Sequence, residues 1–436
     1  MIVPTRRFWW LLSGGIFLGG IAYQLGSPQI LLFYNVLIAL AAVVTAKLGP
    51  KASHLRITRT FDPVLSVRVP NKILLTIEND GLETISGRMR DEAPRRSSAT
   101  ANEFNFSIGP GRIFEKVIHV TPTERGSDFF RGTYVRINCP LGIVQKQARI
   151  TSEQPVRIYP NVLALKEFDL LKQNGRLNQI GIRKSRIKGL GTEFESLREY
   201  AVGDDYRKLD WKASARKGSL VVREFEREKN QSVIICLDVG RRMLAEVEGV
   251  TKLDHVLNSC LMLAHAVASA GDLIGLLVYS DHVKRFIPPK KGRSQVGAII
   301  EALHDLTAEP VETDSVAAFS YLGARFKRRA LVVNFTDADN AEEATELAKA
   351  FGALTRRHIT LAVRVADPNL KEVAQASIHS AEDLYMKAAA LTFAEDRVKA
   401  ATVLTTQNIH QFESEPQDLA SDLVSFYFMV KERSLL

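Results

Sequence analysis

The stretch Ser232-Val-Ile-Ile-Cys-Leu-Asp238 decides the fold class of the C-terminal half of this chain. It is an apolar run of strand length that ends on an acid, and similar runs follow at residues 273–280, 330–338 and 359–367. Segments with helical periodicity separate and follow these runs, at residues 253–270, 292–306, 315–327, 341–357 and 419–430. Apolar strands that alternate with helices are typical of a mainly parallel sheet covered on both faces. We therefore predict a doubly wound α/β domain over residues 231–436.

The composition of the whole chain is that of a globular protein of several domains. Its 436 residues are 46% hydrophobic and 25% charged, which excludes a disordered, collagen-like or low-complexity protein. Lysine and arginine exceed the acids by 58 to 49, giving a net charge of +9 that suits an anionic partner. The three cysteines, at Cys139, Cys236 and Cys260, fit neither a disulfide framework nor a metal site, which indicates a reducing compartment.

The N-terminal region, residues 1–53, contains two uncharged apolar stretches. We predict membrane spans at about residues 8–25 and 30–46, each near the shortest length that crosses a bilayer. The short loop between the two stretches has no basic residue. The outer ends of both stretches, in contrast, are flanked by basic residues, which are Arg6, Arg7, Lys47, Lys51 and Arg56. The positive-inside rule then predicts a hairpin in the inner membrane, with both termini and the main body in the cytoplasm. A cleaved signal peptide followed by an exported domain is the alternative.

Between the membrane region and the α/β domain, the pattern changes twice. Residues 54–160 alternate polar and apolar side chains in short runs separated by turn-formers, which predicts a β-sandwich of immunoglobulin or fibronectin type. We expect it to act as a spacer or interaction module. Residues 161–230 form a linker and a distinctive segment, and the linker residues 172–188 carry six bases and no acid. This basic stretch would contact anionic lipid headgroups or serve as a solvated connector.

The distinctive segment, residues 189–226, has the sequence GLGTEFESLREYAVGDDYRKLDWKASARKGSLVVREFE. Residues 192–229 contain nine acids and nine bases, among which Tyr200, Tyr206, Trp211 and Phe225 are embedded. Such a balance suits a polar network that satisfies itself, since arginine pairs with carboxylates in a bidentate manner. Tyrosine, tryptophan and arginine are also the usual energetic centres of protein interfaces. Packing against the α/β domain, docking to a partner and catalysis all remain open for this segment.

The segment closely resembles the signature of the bacterial domain-of-unknown-function family number fifty-eight. The shared pattern is Glu-Phe-x-x-x-Arg-x-Tyr-x-x-Gly-Asp-Asp-x-Arg-x-x-Asp-Trp, followed by Ala-Arg and an Arg-Glu-Phe. Its positions here are Glu193, Phe194, Arg198, Tyr200, Gly203, Asp204, Asp205, Arg207, Asp210, Trp211, Ala215, Arg216, Arg223, Glu224 and Phe225. The resemblance implies a membrane-anchored partner of MoxR-type AAA+ ATPases that acts in the assembly or remodelling of other proteins. It also implies that these residues are a docking surface or a structural signature.

The α/β domain resembles the von Willebrand factor A domain, whose metal-ion-dependent adhesion site binds Mg²⁺. The resemblance assigns Asp238, Thr313 and Asp337 to that site, with Thr313 matched on its loop position. The two serines of the family motif are replaced here by Gly240 and Arg242, which removes two hydroxyl ligands and adds a positive charge. We therefore expect a degenerate site without a metal or other cofactor, in which Arg242 forms a salt bridge with one of the two acids. Binding of Mg²⁺ by Asp238, Thr313 and Asp337 is the alternative.

These features predict a non-enzymatic, membrane-anchored adaptor or scaffold. Its expected partners are a MoxR-type AAA+ ATPase, membrane lipid and a client protein, but not nucleic acid. The sequence contains no phosphate-binding loop, nucleophile elbow or zinc-protease helix, so the ATPase is expected to be another chain. A metal-dependent hydrolase or phosphotransferase that uses Asp204, Asp205 and Asp210 is the competing hypothesis. An exported adhesion protein is a third.

Overall fold

A computed structural model describes the chain apart from residues 63, 101–102, 162–163, 166–167, 171–192, 202–203, 227–229 and 434–436. The described residues form two compact units, Met1–Asn161 and Val162–Leu436. The basic linker 172–188 and Gly203 of the signature segment lie outside the described residues.

The first unit begins with a short strand and two consecutive helices. Strand β1 spans Ile2–Pro4, α1 spans Arg6–Gln24 and α2 spans Gln29–Leu48. The helices contact each other where the Tyr34 hydroxyl donates a hydrogen bond to the Leu11 carbonyl at 2.7 Å. Within the described part of the chain, only the segment Gln29–His54 is long and apolar enough to cross a membrane. It contains the second of the two predicted spans, whereas α1 does not meet the same criterion.

Nine further strands of the first unit form two packed sheets. Their bounds are β2 Leu55–Phe61, β3 Val64–Ser66, β4 Asn71–Asn79, β5 Ile85–Asp91, β6 Ser97–Thr100, β7 Glu103–Ile108, β8 Ile113–Pro122, β9 Gly126–Asn138 and β10 Val144–Tyr159. One sheet has the order β1-β10-β9-β5-β7 with β3 beside β10, and the other has the order β2-β4-β8-β6. Alternate residues point inward, so that Ile57, Leu75 and Ile77 of one sheet share a core with Met89 and Val135 of the other.

The two helices are tied to one end of this sandwich. Strand β1, which the sequence pattern does not predict, pairs antiparallel with the start of β10. The Thr5 hydroxyl donates hydrogen bonds to the carbonyls of Gly142 and Ile143 at 2.6 and 2.9 Å. At the end of α2, the Lys146 ammonium donates to the Gly49 carbonyl. Helix α1 therefore begins, and α2 ends, beside the same loop of the sandwich.

The second unit contains a hairpin with a short helix and then an α/β domain. The hairpin and its helix are β11 Glu193–Glu199, α3 Trp211–Lys217 and β12 Val221–Glu226. The α/β elements are β13 Ser232–Asp238, β14 Glu246–Val247, β15 Val250–Thr251, α4 Lys252–Ser269, β16 Leu273–Tyr279, β17 Val283–Lys290, α5 Arg293–His304, α6 Ser315–Arg325, β18 Leu331–Phe335, α7 Ala341–Thr355, β19 Ile359–Val365, α8 Pro368–Gln375, α9 Ala381–Thr406, β20 His410–Ser414 and α10 Leu419–Glu432. The observed ends of α4, α5, α6, α7 and α10 lie within two residues of the predicted ones.

The main sheet of the second unit has the order β17-β16-β13-β18-β19-β20. All neighbouring strands are parallel except β16 and β17, which are antiparallel. Every residue of β13 is buried, with Val233 and Ile235 packed in the core below α4 and α10, and Ile234 and Cys236 packed in the opposite core below α6 and α7. Burial on both faces explains why this strand is a continuous apolar run.

Candidate functional site

The strand order of the main sheet reverses between β13 and β18. In doubly wound sheets, ligands bind outside the carboxyl ends of the strands at this point. Asp238 is the last residue of β13, and Asp337 lies two residues beyond the end of β18. Asp238 is 0% exposed and Asp337 is 2% exposed, so both carboxylates are withdrawn from water.

Asp238 is held by three hydrogen bonds from the loops around it. One carboxylate oxygen accepts from the Thr313 hydroxyl at 2.7 Å and from the Gly240 amide at 2.8 Å. The other oxygen accepts from the Thr336 hydroxyl at 2.9 Å. Burial raises the pKa of Asp238 above its ordinary value, and these bonds together with the charge of Arg242 offset only part of that rise.

Asp337 is compensated by two cations instead. The Lys252 ammonium, on the first residue of α4, forms a salt bridge with one carboxylate oxygen of Asp337, and both side chains are at most 10% exposed. The Arg397 guanidinium of α9 lies 3.7 Å from the other oxygen and also pairs with Asp339 at 3.1 Å. Burial and the neighbouring Asp337 raise the pKa of Asp339, which Lys252 and Arg397 oppose.

The expected salt bridge from Arg242 to Asp238 or Asp337 is not what the structure shows. Arg242 pairs with Glu343, in the first turn of α7, at 3.2 Å, and both side chains are more than a quarter exposed. Lys252 already forms a salt bridge with Asp337, while Asp238 accepts hydrogen bonds from two hydroxyl groups and one backbone amide. Arg242 acts on Asp238 only through its charge, which lowers the carboxyl pKa.

Protein groups already contact both acids. A Cβ atom added at Gly240 would lie 2.2 Å from the Thr313 hydroxyl oxygen, so a serine at this position would displace Thr313. The Lys252 ammonium takes the Asp337 carboxylate that a cation would need. Among the described residues, no group of three or more His, Cys, Asp or Glu side chains is placed to hold a metal ion. The arrangement supplies a fixed positive charge from a side chain.

Three residues of this cluster were missed by the sequence reasoning. Thr336 directly precedes Asp337, and a hydroxyl at that position was the one signal available. Lys252 and Arg397 lie far from the acids along the chain, at the first turn of one helix and in the middle of another. Only the tertiary fold brings their cationic groups to the carboxylates.

The signature segment is stabilised by its own charges. Arg198 forms a bidentate salt bridge with Asp204, with nitrogen–oxygen distances of 2.7 and 2.8 Å. One oxygen of Asp204 also accepts from the Ala201 amide at 2.8 Å. Asp205 accepts from the Arg207 amide at 3.0 Å. These bonds fix the turn between β11 and α3.

Helix α3 has a capping residue at each end. Asp210 is its N-cap and accepts from the Ala213 amide at 2.9 Å, and Gly218 ends it in the left-handed conformation at φ 72°. The Ser214 hydroxyl accepts from the Val221 amide at 2.9 Å, which joins the helix to β12. Asp204, Asp205 and Asp210 thus each accept different local hydrogen bonds.

Several large side chains of this segment point to solvent. Tyr206 is 70% exposed and Trp211 is 69% exposed, with Leu197 and Leu220 each 45% exposed. The ring of Tyr200 stacks on that of Tyr206 with centroids 5.7 Å apart. The segment therefore exposes the aromatic side chains of Tyr206 and Trp211, called its aromatic surface below, on a backbone that its charges hold in place.

The remaining signature positions lie in the same elements. Glu193 and Phe194 open β11, paired with Glu226 and Phe225 of β12, and Arg223 and Glu224 lie further along β12. Arg207 is exposed in the turn before α3, and Arg216 is exposed in the last turn of that helix. Ala215 is also in α3.

A family model matches most of this segment and part of the domain after it. Residues 196–398 match the family model described as "Protein of unknown function DUF58". The DUF58 match begins inside β11 and ends inside α9, so it contains the signature elements after the start of β11 and all three predicted acid-site residues.

Two bacterial relatives are similar to parts of the chain. The uncharacterized protein Rv1480 of Mycobacterium tuberculosis is 23% identical over 201 residues, which cover 45% of this chain and 62% of that protein. The uncharacterized protein YeaD of Bacillus subtilis is 28% identical over 116 residues, covering 26% and 28% of the two chains. The chain therefore spans less than two thirds of the length of the mycobacterial relative.

Two solved structures show a distant likeness to parts of the chain. The conserved hypothetical protein BatB from Bacteroides thetaiotaomicron is 14% identical with a TM-score of 0.29, covering 46% of this chain and 98% of that one. The CARDB domain of PF1109 from Pyrococcus furiosus is 15% identical with a TM-score of 0.17, covering 24% of this chain and 94% of that one. TM-scores this low do not establish a shared fold.

Replacing Lys252 by methionine tests its role as the charge partner of Asp337. The substitution keeps the aliphatic stem but leaves a buried carboxylate with Arg397 as its remaining cation. We expect a loss of about 3–5 kcal/mol in the free energy of unfolding, measured by urea denaturation. The double variant Lys252→Met/Asp337→Leu should recover most of that loss, because no charge is then stranded. Lys399→Met, which removes an exposed pair with Asp396, should change stability by less than about 1 kcal/mol. A similar small effect for Lys252→Met would contradict this role.

Asp238→Asn tests the buried carboxylate by its pH dependence. Because the folded pKa of Asp238 lies above its ordinary value of 3.8, the folded state binds this proton more tightly than the unfolded state. Its contribution to stability is greatest below that value and is lost as the pH rises through the folded pKa. The stability of Asp238→Asn relative to wild type should therefore increase from about pH 4 to about pH 7. A constant difference in urea midpoint, equal to that of the exposed Asp396→Asn control, would refute the pKa direction.

Proposed function

We propose that the chain is a non-enzymatic, membrane-anchored adaptor or scaffold that works with a MoxR-type AAA+ ATPase in the assembly or remodelling of other proteins. The observation that carries this proposal is the aromatic surface of the signature segment, where Tyr206 and Trp211 are about 70% exposed. The Arg198–Asp204 bridge and the α3 cap hold that surface in one shape. Exposed aromatic side chains on a preorganised backbone are typical of protein interfaces.

The choice of an AAA+ ATPase as partner depends on the resemblance of the signature to family fifty-eight. The DUF58 match over residues 196–398 supports the family but leaves its function open. The chain itself has no phosphate-binding loop in its sequence, so ATP hydrolysis would belong to the partner.

We also propose that the α/β domain is of the von Willebrand factor A type, with a ligand face that works without a metal ion. Asp238 and Thr313 meet at the end of β13, as the resemblance implies. Lys252 provides the positive charge at Asp337 that Mg²⁺ provides in metal-dependent members. Binding to this face would then be insensitive to chelators.

Membrane anchoring is proposed for both helices, α1 and α2. Among the residues that the structure describes, the Gln29–His54 segment alone is apolar enough by itself. The Tyr34–Leu11 hydrogen bond and the attachment of both outer helix ends beside one loop of the sandwich favour a hairpin. With the basic residues at those outer ends, the sandwich and the rest of the chain would face the cytoplasm.

The competing hydrolase or phosphotransferase finds little support in the geometry. A two-metal or acid–base site needs carboxylates that converge on one point. Asp204 faces Arg198, Asp205 accepts from the Arg207 amide and Asp210 caps α3, so each carboxylate has a local partner of its own. We therefore favour the adaptor.

Trp211→Ala tests the docking surface directly. Since the indole is mostly exposed, the fold should lose little stability, while a partner would lose an interface centre worth about 2 kcal/mol or more. Pull-downs from membranes with and without ATP should recover an AAA+ ATPase with wild type and much less with Trp211→Ala. Tyr385→Ala, which removes a 77% exposed tyrosine of α9, is the matched control and should behave as wild type.

Two results would count against this proposal. Recovery of no AAA+ ATPase under either nucleotide condition would remove the proposed partner. Equal recovery with wild type and Trp211→Ala would show that the ATPase binds elsewhere.

A cysteine in the loop between α1 and α2 tests the topology. The native cysteines are buried, so Ser27→Cys would be the reactive thiol in intact cells. A membrane-impermeant maleimide should label Ser27→Cys from outside, and should label the exposed Ser98→Cys of β6 only after lysis. Labelling of Ser98→Cys in intact cells would instead support an exported protein.

A further inference from the structure

A cleft of about 610 Å³ opens on the solvent-facing side of the β1-β10-β9-β5-β7 sheet in the first unit. Five arginines line it, and one exposed aromatic ring lies among them; these residues are Arg88, Arg90, Arg95, Arg131, Arg136 and Tyr134. The cleft lies outside the residues that match the DUF58 family, and the proposed adaptor role does not use it.

The arginines are placed where they cost the sheet stability. Arg88 of β5 lies directly opposite Arg136 of β9 in the strand register, and Arg90 lies opposite Tyr134. Like charges in directly opposite positions of a sheet repel each other. This arrangement therefore needs an explanation other than the fold.

The acids of the cleft neutralise one of these five arginines. Asp91 is buried and pairs with Arg59 in the sandwich core at 2.7 Å, and Glu92 pairs with Arg149 at 2.9 Å. Glu103 pairs with Arg88 at 3.3 Å. Each acid is thus already matched by one arginine.

The other four arginines keep an unmatched charge. Arg136 donates to the amide oxygen of Gln147, a neutral group, at 3.0 Å. Over the described ranges of the chain, the guanidinium groups of Arg90, Arg95 and Arg131 have no carboxylate partner. The cleft is left with an excess of positive charge in a concave space.

We propose that this cleft binds an extended acidic peptide segment of a partner protein, with carboxylates at alternate positions. Arg88 and Arg90 are two residues apart on one strand, which places their Cα atoms about 7 Å apart. Alternate side chains of an extended peptide have the same spacing. Guanidinium groups bind carboxylates in a bidentate manner, and the ring of Tyr134, 39% exposed, offers an apolar contact beside them.

The shape and the mixed charges favour a peptide over other polyanions. A bilayer surface contacts convex patches, whereas these arginines line a cavity. A nucleic acid would bring a continuous row of phosphates against Glu92 and Glu103, which would repel it. A peptide places its few carboxylates at the arginines and neutral residues at the acids.

The test uses the full chain purified in detergent and a fluorescein-labelled nonapeptide of alternating glutamate and serine. Fluorescence anisotropy should show saturable binding that weakens at least tenfold when glutamine replaces every glutamate. The double variant Arg90→Gln/Arg131→Gln should also weaken binding at least tenfold. Arg56→Gln, an exposed arginine on β2 of the other sheet, is the matched control and should bind as wild type.

Charge reversal separates a lost site from a lost fold. Arg90→Glu/Arg131→Glu should lose the glutamate peptide and bind an alternating lysine–serine peptide at least tenfold more tightly than wild type does. Unchanged binding in the double variant, or an equal loss in Arg56→Gln, would overturn the proposal. So would stronger competition by phosphatidylglycerol vesicles or by a single-stranded oligonucleotide than by the unlabelled peptide.

Discussion

The compensation of two buried carboxylates organises the ligand edge of the α/β domain. Asp238 and Asp337 follow adjacent strands that are buried on both faces, and a charge without a partner there would cost several kcal/mol. Asp238 accepts hydrogen bonds from hydroxyl groups of two loops, and Asp337 forms a salt bridge with the ammonium group of Lys252 at the start of α4. The loops at the switch point are therefore fixed by the requirement to satisfy these two acids.

The same requirement distinguishes this edge from a metal site with open coordination positions. A metal would need open coordination positions at both acids. Because Gly240 has no side chain, the Thr313 hydroxyl can approach and donate a hydrogen bond to Asp238. Lys252 forms a salt bridge with Asp337. An internal cation makes the edge permanently assembled, whereas a bound ion would make assembly depend on its concentration.

The sequence predicted those features that depend on local pattern. The all-buried β13 and the helices that follow were predictable because burial on two faces leaves an unbroken apolar run. The short strand β20 was not, since His410 and Glu413 expose their side chains at the sheet edge and break the pattern. The partner of Arg242 was predicted wrongly, because the prediction placed its charge at Asp238 or Asp337 in place of a metal, while the fold places Glu343 beside it. Lys252 and Arg397 needed tertiary contacts that no spacing encodes.

The two units manage charge by one rule, and the rule indicates where binding takes place. In the sandwich, Arg59 and Asp91 are buried together and bonded to Thr133, so their charges serve the core. In the signature segment, Arg198 and Asp204 serve a turn in the same way. Residues that the fold has already satisfied have little left to offer a ligand. The residues that the fold leaves exposed or unmatched are aromatic in one unit and cationic in the other, and they are the ones on which the two proposed interactions depend.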